Sequence, residues 1–217
     1  MGTVRGYRQS MAGSVLSVNV GELQQVDWSQ DGRPTAIDKR PVSGSVKVHV
    51  DRLGEDVHGL VGGHGGEYQA VYAYAREDAE FWEQELGRDL GAGHFGENLT
   101  VSGLPVSGAL TGERWRIGST LLEVTTPRIP CRTFAGFWQI PDLIKRFTAA
   151  GRPGAYLRVL QEGELKTGDP IEVLHRPTHS VTVADLLAAR AGDRSKTTEI
   201  KALTLPPKWH PWQQGLH

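Results

Sequence analysis

Apolar and polar residues alternate in short runs along most of this chain. Val46, Val48 and Val50 share one side of an extended segment, with Ser45, Lys47 and His49 between them. That two-residue period marks a half-buried β-strand. Similar runs carry Val15, Leu16, Val18 and Val20, and later Val71, Tyr72 and Tyr74. The pattern predicts strands over 14–20, 45–50, 69–74, 98–101, 114–117, 120–125, 155–160 and 171–174. Glycine and proline, 27 and 12 residues, fall largely between these runs and keep them short. Many short strands with frequent turns predict a barrel or sandwich. A regular alternation of strand and helix is missing, which argues against a doubly wound sheet.

Helical periodicity is confined to a few places. Segment 77–86 sets Phe81, Trp82 and Leu86 roughly on one side. Segment 141–150 opens on Pro141, suited to a first helical turn, and leads to Gly151, suited to the position after the last turn. In 181–190, Thr182 and Asp185 stand at capping-box spacing and Gly192 lies just past the end. Residues 197–203 suggest one more short helix, and Pro206, Pro207 and Pro211 interrupt the last stretch of the chain. The organisation expected is an N-terminal tail over 1–12, a β-rich body over 13–176 and a short helical extension over 177–217.

Composition narrows the function classes. A net charge of −1 gives no overall basic field for DNA or anionic lipid. The basic residues of the extension, Arg194, Lys196, Lys201 and Lys208, are interleaved with Asp193 and Glu199. No nucleic-acid partner is expected, and the extension is read as a packing or homodimer contact, with Trp209 and Trp212 as anchors. No apolar run approaches the roughly 18 residues of a membrane helix, so no membrane partner is expected. Arg5 and Arg8 do not lead into the apolar core of a secretory signal. One cysteine excludes an intrachain disulfide and a cysteine-ligated iron–sulfur cluster. A cytoplasmic location fits best.

Four motifs carry candidate chemistry. Gly62-Gly63-His64-Gly65-Gly66 allows positive φ and close backbone approach, so its N–H groups can form an anion-binding nest. It is not a nucleotide phosphate loop, because no Gly-Lys-Ser/Thr comes after it. The alternative is a tight turn in which His64 only hydrogen-bonds. Phe95-Gly96-Glu97-Asn98-Leu99-Thr100 places two polar groups at a strand entrance, for a site or for turn chemistry alone. Pro127-Arg128-Ile129-Pro130-Cys131-Arg132 puts the lone thiol between two arginines. Cations near a thiol favour the thiolate, both a nucleophile and a soft metal ligand. The alternative is an inert buried cysteine. In the fourth, Arg158 interrupts an apolar strand, pointing either to solvent or into a polar pocket.

Taken in order, these motifs, together with Thr35-Ala36-Ile37-Asp38-Lys39-Arg40-Pro41-Val42, Gln69-Ala70-Val71-Tyr72 and 151–160, resemble the MOSC family, the molybdenum cofactor sulfurase C-terminal domain, in its stand-alone bacterial YiiM-like type. The resemblance covers residues 15–174, and 177–217 is similar to a shortened form of that type's three-helix extension. It implies a mainly β fold: a MOSC-type β-barrel with a few short helices and a small C-terminal helical extension. It implies molybdenum cofactor (molybdopterin) as ligand and Cys131 as the metal ligand or sulfur carrier. Lys39, His64, Gly65, Asn98, Arg128 and Arg158 are the expected cofactor contacts, the cations because molybdopterin carries a phosphate. The family's pyridoxal phosphate belongs to a separate domain for which this chain has no room.

The resemblance implies three candidate functions. The first is reduction of small N-hydroxylated compounds such as hydroxylamino-purines, a detoxification of base analogues. Cys131 would hold the metal, His64 or Glu97 would supply protons, and a separate reductase would supply electrons. The second is a sulfur or cofactor carrier using a Cys131 persulfide. The third is a non-catalytic barrel that captures a small anion.

Overall fold

The segment Val71-Tyr72-Ala73-Tyr74-Ala75 is buried on both faces. Its small aliphatic residues face one way and its tyrosines the other, so a single strand serves two apolar layers. The rest of the fold satisfies both. A computed structural model describes residues 11–57 and 66–217.

Among the described residues eleven strands form: β1 (Met11–Gly21), β2 (Lys39–Pro41), β3 (Val46–His49), β4 (Arg52–Leu53), β5 (Val71–Ala75), β6 (Leu99–Ser102), β7 (Arg114–Ile117), β8 (Thr120–Thr126), β9 (Ala155–Gln161), β10 (Gly163–Leu165) and β11 (Pro170–His175). Seven of them close a barrel in the order β1-β6-β5-β9-β8-β7-β11, with β11 returning to β1. All pairings in the ring are antiparallel except β5 with β6. A parallel pair needs a crossover, supplied here by α1 (Arg76–Leu86). The fold is thus a closed mixed β-barrel with several short helices, as expected. β2 extends the edge of β1, and β3, β4 and β10 make a small separate sheet. The predicted strand 45–50 ends one residue early: Val50 leaves the sheet and is exposed.

The barrel interior is filled by Val15, Val18, Val101, Trp115, Ile117, Leu122 and Leu157. Outside it, Tyr72 and Tyr74 meet an aromatic layer built by α1, α2 (Arg132–Trp138) and α3 (Leu143–Ala150). Tyr74 stacks on Phe95 at a centroid distance of 3.9 Å, and Trp82 stacks on Phe147 at 5.8 Å. α3 ends at Gly151 in the left-handed conformation, as its sequence predicts. The sequence pattern does not predict α2, because it is short and interrupted by Gly136. Its stability comes from burying Phe134 and Trp138 in the aromatic layer.

Three further helices lie beyond the barrel: α4 (Val183–Arg190), α5 (Thr197–Lys201) and α6 (His210–Gln214). The Thr182–Asp185 capping box is present, with both reciprocal bonds made. The prolines open turns rather than interrupting them. Pro207 starts a 3-10 turn and Pro211 lies in the first turn of α6, where a missing N–H costs nothing. Leu186, Ile200, Leu205, Trp209 and Leu216 form this unit's own core, and Ile129 of the barrel packs against it. No helix among the described residues is long and apolar enough to cross a membrane.

Candidate functional site

β8 runs into Pro127-Arg128-Ile129-Pro130, and α2 begins directly after Cys131. Two prolines restrict this connection, while Phe134 and Trp138 pin the helix beyond it. The thiol is free and half-buried. It opens onto a pocket also lined by Lys39, Tyr72, Asn98, Arg128 and Tyr156. These come from β2, β5, the entrance of β6, the β8–α2 connection and β9. The loop before β2 adds Gln30, Arg33 and Thr35 at the mouth. That loop is tied to α2 by a hydrogen bond from the Gln30 N–H to Thr133 Oγ1, 3.0 Å.

One wall is a closed polar network. Lys39 is ion-paired with fully buried Asp56. Asp56 also accepts the Gly21 N–H at 2.7 Å and the Asn98 amide at 2.8 Å. Asn98 Oδ1 accepts the Tyr72 N–H at 3.0 Å, and its amide nitrogen also donates to the Asn19 carbonyl at 3.3 Å. Asn98 therefore stands in the pocket wall with its hydrogen bonds already made to the protein. Burial pulls Lys39 below the ordinary lysine value, against the opposing attraction of Asp56. Behind this wall lies Glu97. It is buried and accepts the Gly93 N–H (2.7 Å), the Phe95 N–H (2.9 Å) and the Thr100 hydroxyl (2.7 Å). Burial raises its pKa above the usual carboxylate value, against these donors.

The glycines of this turn have a geometric reason. Gly93 has φ +84°, and a Cβ there would lie 2.2 Å from the Lys39 carbonyl. Gly96 has φ +71°, and a Cβ would press on Ile37 at 3.0 Å and on Arg128 at 3.4 Å. Both close approaches help set the position of the pocket wall.

The surroundings of Arg128 are different. Arg128 is buried, yet it has no carboxylate partner among the described residues, and its Nε has no hydrogen-bond acceptor. Its guanidinium lies over Phe134 at 4.5 Å and Tyr72 at 5.4 Å. Burial opposes its charge, and the surrounding Tyr156, Tyr72, Cys131 and Glu97 favour it enough to keep it firmly cationic. Burial in turn raises the Tyr72 and Tyr156 hydroxyls above their ordinary values, partly offset by Arg128, so both remain phenols. Tyr72 donates to the Pro153 carbonyl at 2.7 Å.

Of the residues expected from sequence, Cys131, Arg128, Lys39 and Asn98 meet in this pocket. Arg158 does not line it. It pairs with Glu123 at 2.7 Å, lies over Tyr68 and lines a neighbouring pocket with Arg114. Arg132 lies outside the lining as well. His64 and Gly65 lie outside the described residues. Glu97, expected as a proton source, is instead committed to the turn behind the pocket. Asp56 beneath the wall, and Tyr156 and Arg33 in the lining, are functional neighbours that the sequence pattern does not single out.

The MOSC domain model matches residues 62–172, and a Bacillus subtilis relative, the uncharacterized protein YflK, is 34% identical over 190 residues, spanning 88% of this chain and 86% of that one. The chain belongs to the MOSC family. The structure of YiiM from Geobacillus stearothermophilus superposes with a TM-score of 0.77 at 30% identity, covering 93% of this chain and 97% of that one. The chain thus has the YiiM-like form of the MOSC fold. A Gibberella moniliformis protein named reductase is 31% identical over 170 residues, which are 76% of this chain but only 30% of that protein. MOSC membership associates this chain's function with the molybdenum cofactor.

Proposed function

We propose that this protein holds molybdenum cofactor in the Cys131 pocket and reduces small N-hydroxylated compounds, hydroxylamino-purines among them, in the cytoplasm with electrons from a separate reductase. The observation that carries the reading is Arg128. A buried guanidinium without a counter-ion is costly unless a ligand supplies the charge. It shares one pocket with the chain's only thiol. A ligand that is both anionic and thiolate-binding satisfies both groups, and a metal held by a phosphorylated pterin dithiolene is such a ligand.

In this reading Cys131 Sγ is the protein ligand to the metal. Arg128 binds the anionic part of the cofactor, and Arg33 at the mouth adds a second cation. The Lys39–Asp56–Asn98 network fixes another part of the pocket wall with its charges already paired. Tyr156 presents a phenol at the pocket wall that can hydrogen-bond to an N–OH group. When bound, molybdenum supplies the two-electron chemistry for removing oxygen from nitrogen. The net change is R–NHOH + 2e⁻ + 2H⁺ → R–NH₂ + H₂O. The chain's single cysteine leaves no set of thiolates for an iron–sulfur centre. Electrons therefore come from another protein, and the purified chain does not turn over with NAD(P)H alone. A relative that bears the name reductase, and in which the matched region is under a third of the length, is in keeping with this.

The test is metal and pterin analysis of protein made in cells that synthesise the cofactor, wild type beside Cys131→Ser. Near-stoichiometric molybdenum and pterin in wild type, lost in the variant, is the expected result. Absence of both from wild type after reconstitution would sink the reading. A persulfide on Cys131 found by mass spectrometry in that case would establish the sulfur-carrier function instead.

A further inference from the structure

A second pocket adjoins the first. It shares Gln69 and Tyr156 with the Cys131 pocket and runs along the seam between the barrel and the C-terminal helices. Its far side is formed by Arg190, Lys208 and Trp209, from the end of α4 and the turn before α6. Its volume, about 230 Å³, is many times that of one water site.

Among the described residues, no carboxylate lines this pocket. Neither Arg190 nor Lys208 has an ion-pair partner among them. Arg190 is held in place by lying over Trp209 at 5.7 Å and Trp212 at 5.3 Å, so little freedom is lost when it binds. Lys208 is partly desolvated with no compensating acid, which pulls its pKa down. A counter-anion would relieve that cost. At the junction of the two pockets stands Gln69, only 7% exposed, and its Oε1 is buried with no hydrogen-bond donor. An N–H or O–H from a ligand passing between the pockets would satisfy it.

We infer that the seam pocket is an anion subsite for the phosphate of a nucleoside-phosphate ligand whose base reaches the Cys131 pocket. The inference rests on the function proposed above for that pocket. The phosphate meets Arg190 and Lys208, and Gln69 meets a donor on the base or sugar. The same chemistry has two sources: an N-hydroxylated nucleotide substrate, or a nucleotide appended to the cofactor. The subsite gives the helical extension a role in ligand choice, favouring nucleotides over free bases.

The probes are AMP and adenosine, titrated calorimetrically into the full chain. AMP binds at least tenfold more tightly than adenosine. Arg190→Gln and Lys208→Gln each weaken AMP at least about fivefold, and the double variant reduces it to the adenosine level. Both side chains are at the surface, so the variants still fold; Lys208→Gln leaves the unfolding midpoint in place, and Arg190→Gln lowers it only slightly through its lost contacts with Trp209 and Trp212. Equal affinity for AMP and adenosine, or variants that bind AMP as wild type does, overturns the inference. Repeating the titration on molybdenum-loaded protein separates the sources. AMP still bound, with no nucleotide released on denaturation, assigns the phosphate to the substrate. One nucleotide released per molybdenum, with AMP excluded, assigns it to the cofactor. The AMP titration is also run on Cys131→Ser. Tight AMP binding there, beside a wild type that never carries molybdenum, overturns the reductase function and leaves the subsite standing. Intact reduction with no AMP preference overturns the subsite alone.

Discussion

Two buried cations of the Cys131 pocket, Lys39 and Arg128, are held on opposite principles. On the Lys39 side each charged group has its counter-charge, and Asp56 holds three donors at once. On the Arg128 side a cation of similar burial has aromatic faces and no counter-ion among the described residues. A network whose charges are already paired gains little from a ligand and serves as scaffold. An unsatisfied cation is stabilised only when a ligand arrives. Burial of charge alone therefore does not identify the binding residues in this pocket; burial without a partner does.

This contrast can be broken from either side. The largest effect is expected from Asp56→Ala, which leaves Lys39 buried and unpaired and frees Gly21 N–H and Asn98. It should cost about 3–5 kcal/mol of stability in denaturant titration. Adding Lys39→Met should recover part of that loss. A single variant within about 1 kcal/mol of wild type would show that the network is not a scaffold. Arg128→Gln should behave in reverse. Molybdenum and pterin affinity should fall at least tenfold, about 1.4 kcal/mol. Stability of the cofactor-free protein should stay within about 1 kcal/mol, because the lost cation–π contacts offset the relief of an unpaired charge. Unchanged cofactor retention would remove Arg128 from the site.

The smallest effect concerns pH. Burial raises Glu97 in the folded state. A raised carboxyl contributes stability that is fully present below its unfolded value, about 4.3, and is lost as pH rises through the folded value. The difference in unfolding temperature between wild type and Glu97→Gln should therefore shrink as pH is raised from about 4 to about 7. A flat or growing difference would mean that the three donors outweigh burial.

The two sides also differ in how far sequence alone reveals them. Local chemistry is readable: the thiol between prolines and arginines, the glycines around Glu97 and Asn98, the capping box of α4, and most strand positions by alternation. Asp56 is not, since it sits in a polar stretch after β4 that looks like any turn. Only long-range pairing brings it under Lys39 and Asn98. Tyr156 is readable as a strand residue, but whether it faces the barrel or the pocket depends on register. For Glu97 the residue type suggests proton transfer, and the backbone donors of its own turn claim it instead. Arg158 pairs with Glu123 across β8 and β9, a partnership set by strand order that no local spacing announces. The short helix α2 escapes the sequence pattern because aromatic packing, not helical periodicity, sustains it.

The barrel closes by pairing Met11 of β1 with Glu172 of β11, most of the described chain apart. Contacts of such sequence separation form slowly, because the connecting chain must first be gathered. On the ribosome the first strand waits at an open edge until most of the polypeptide has emerged. The pocket lining comes from residues 30–156, and the strands that carry it join a closed ring only when β11 has been added. A chain cut short in its last barrel strand should therefore be a substrate for proteases, and under the function proposed above it should take up no metal.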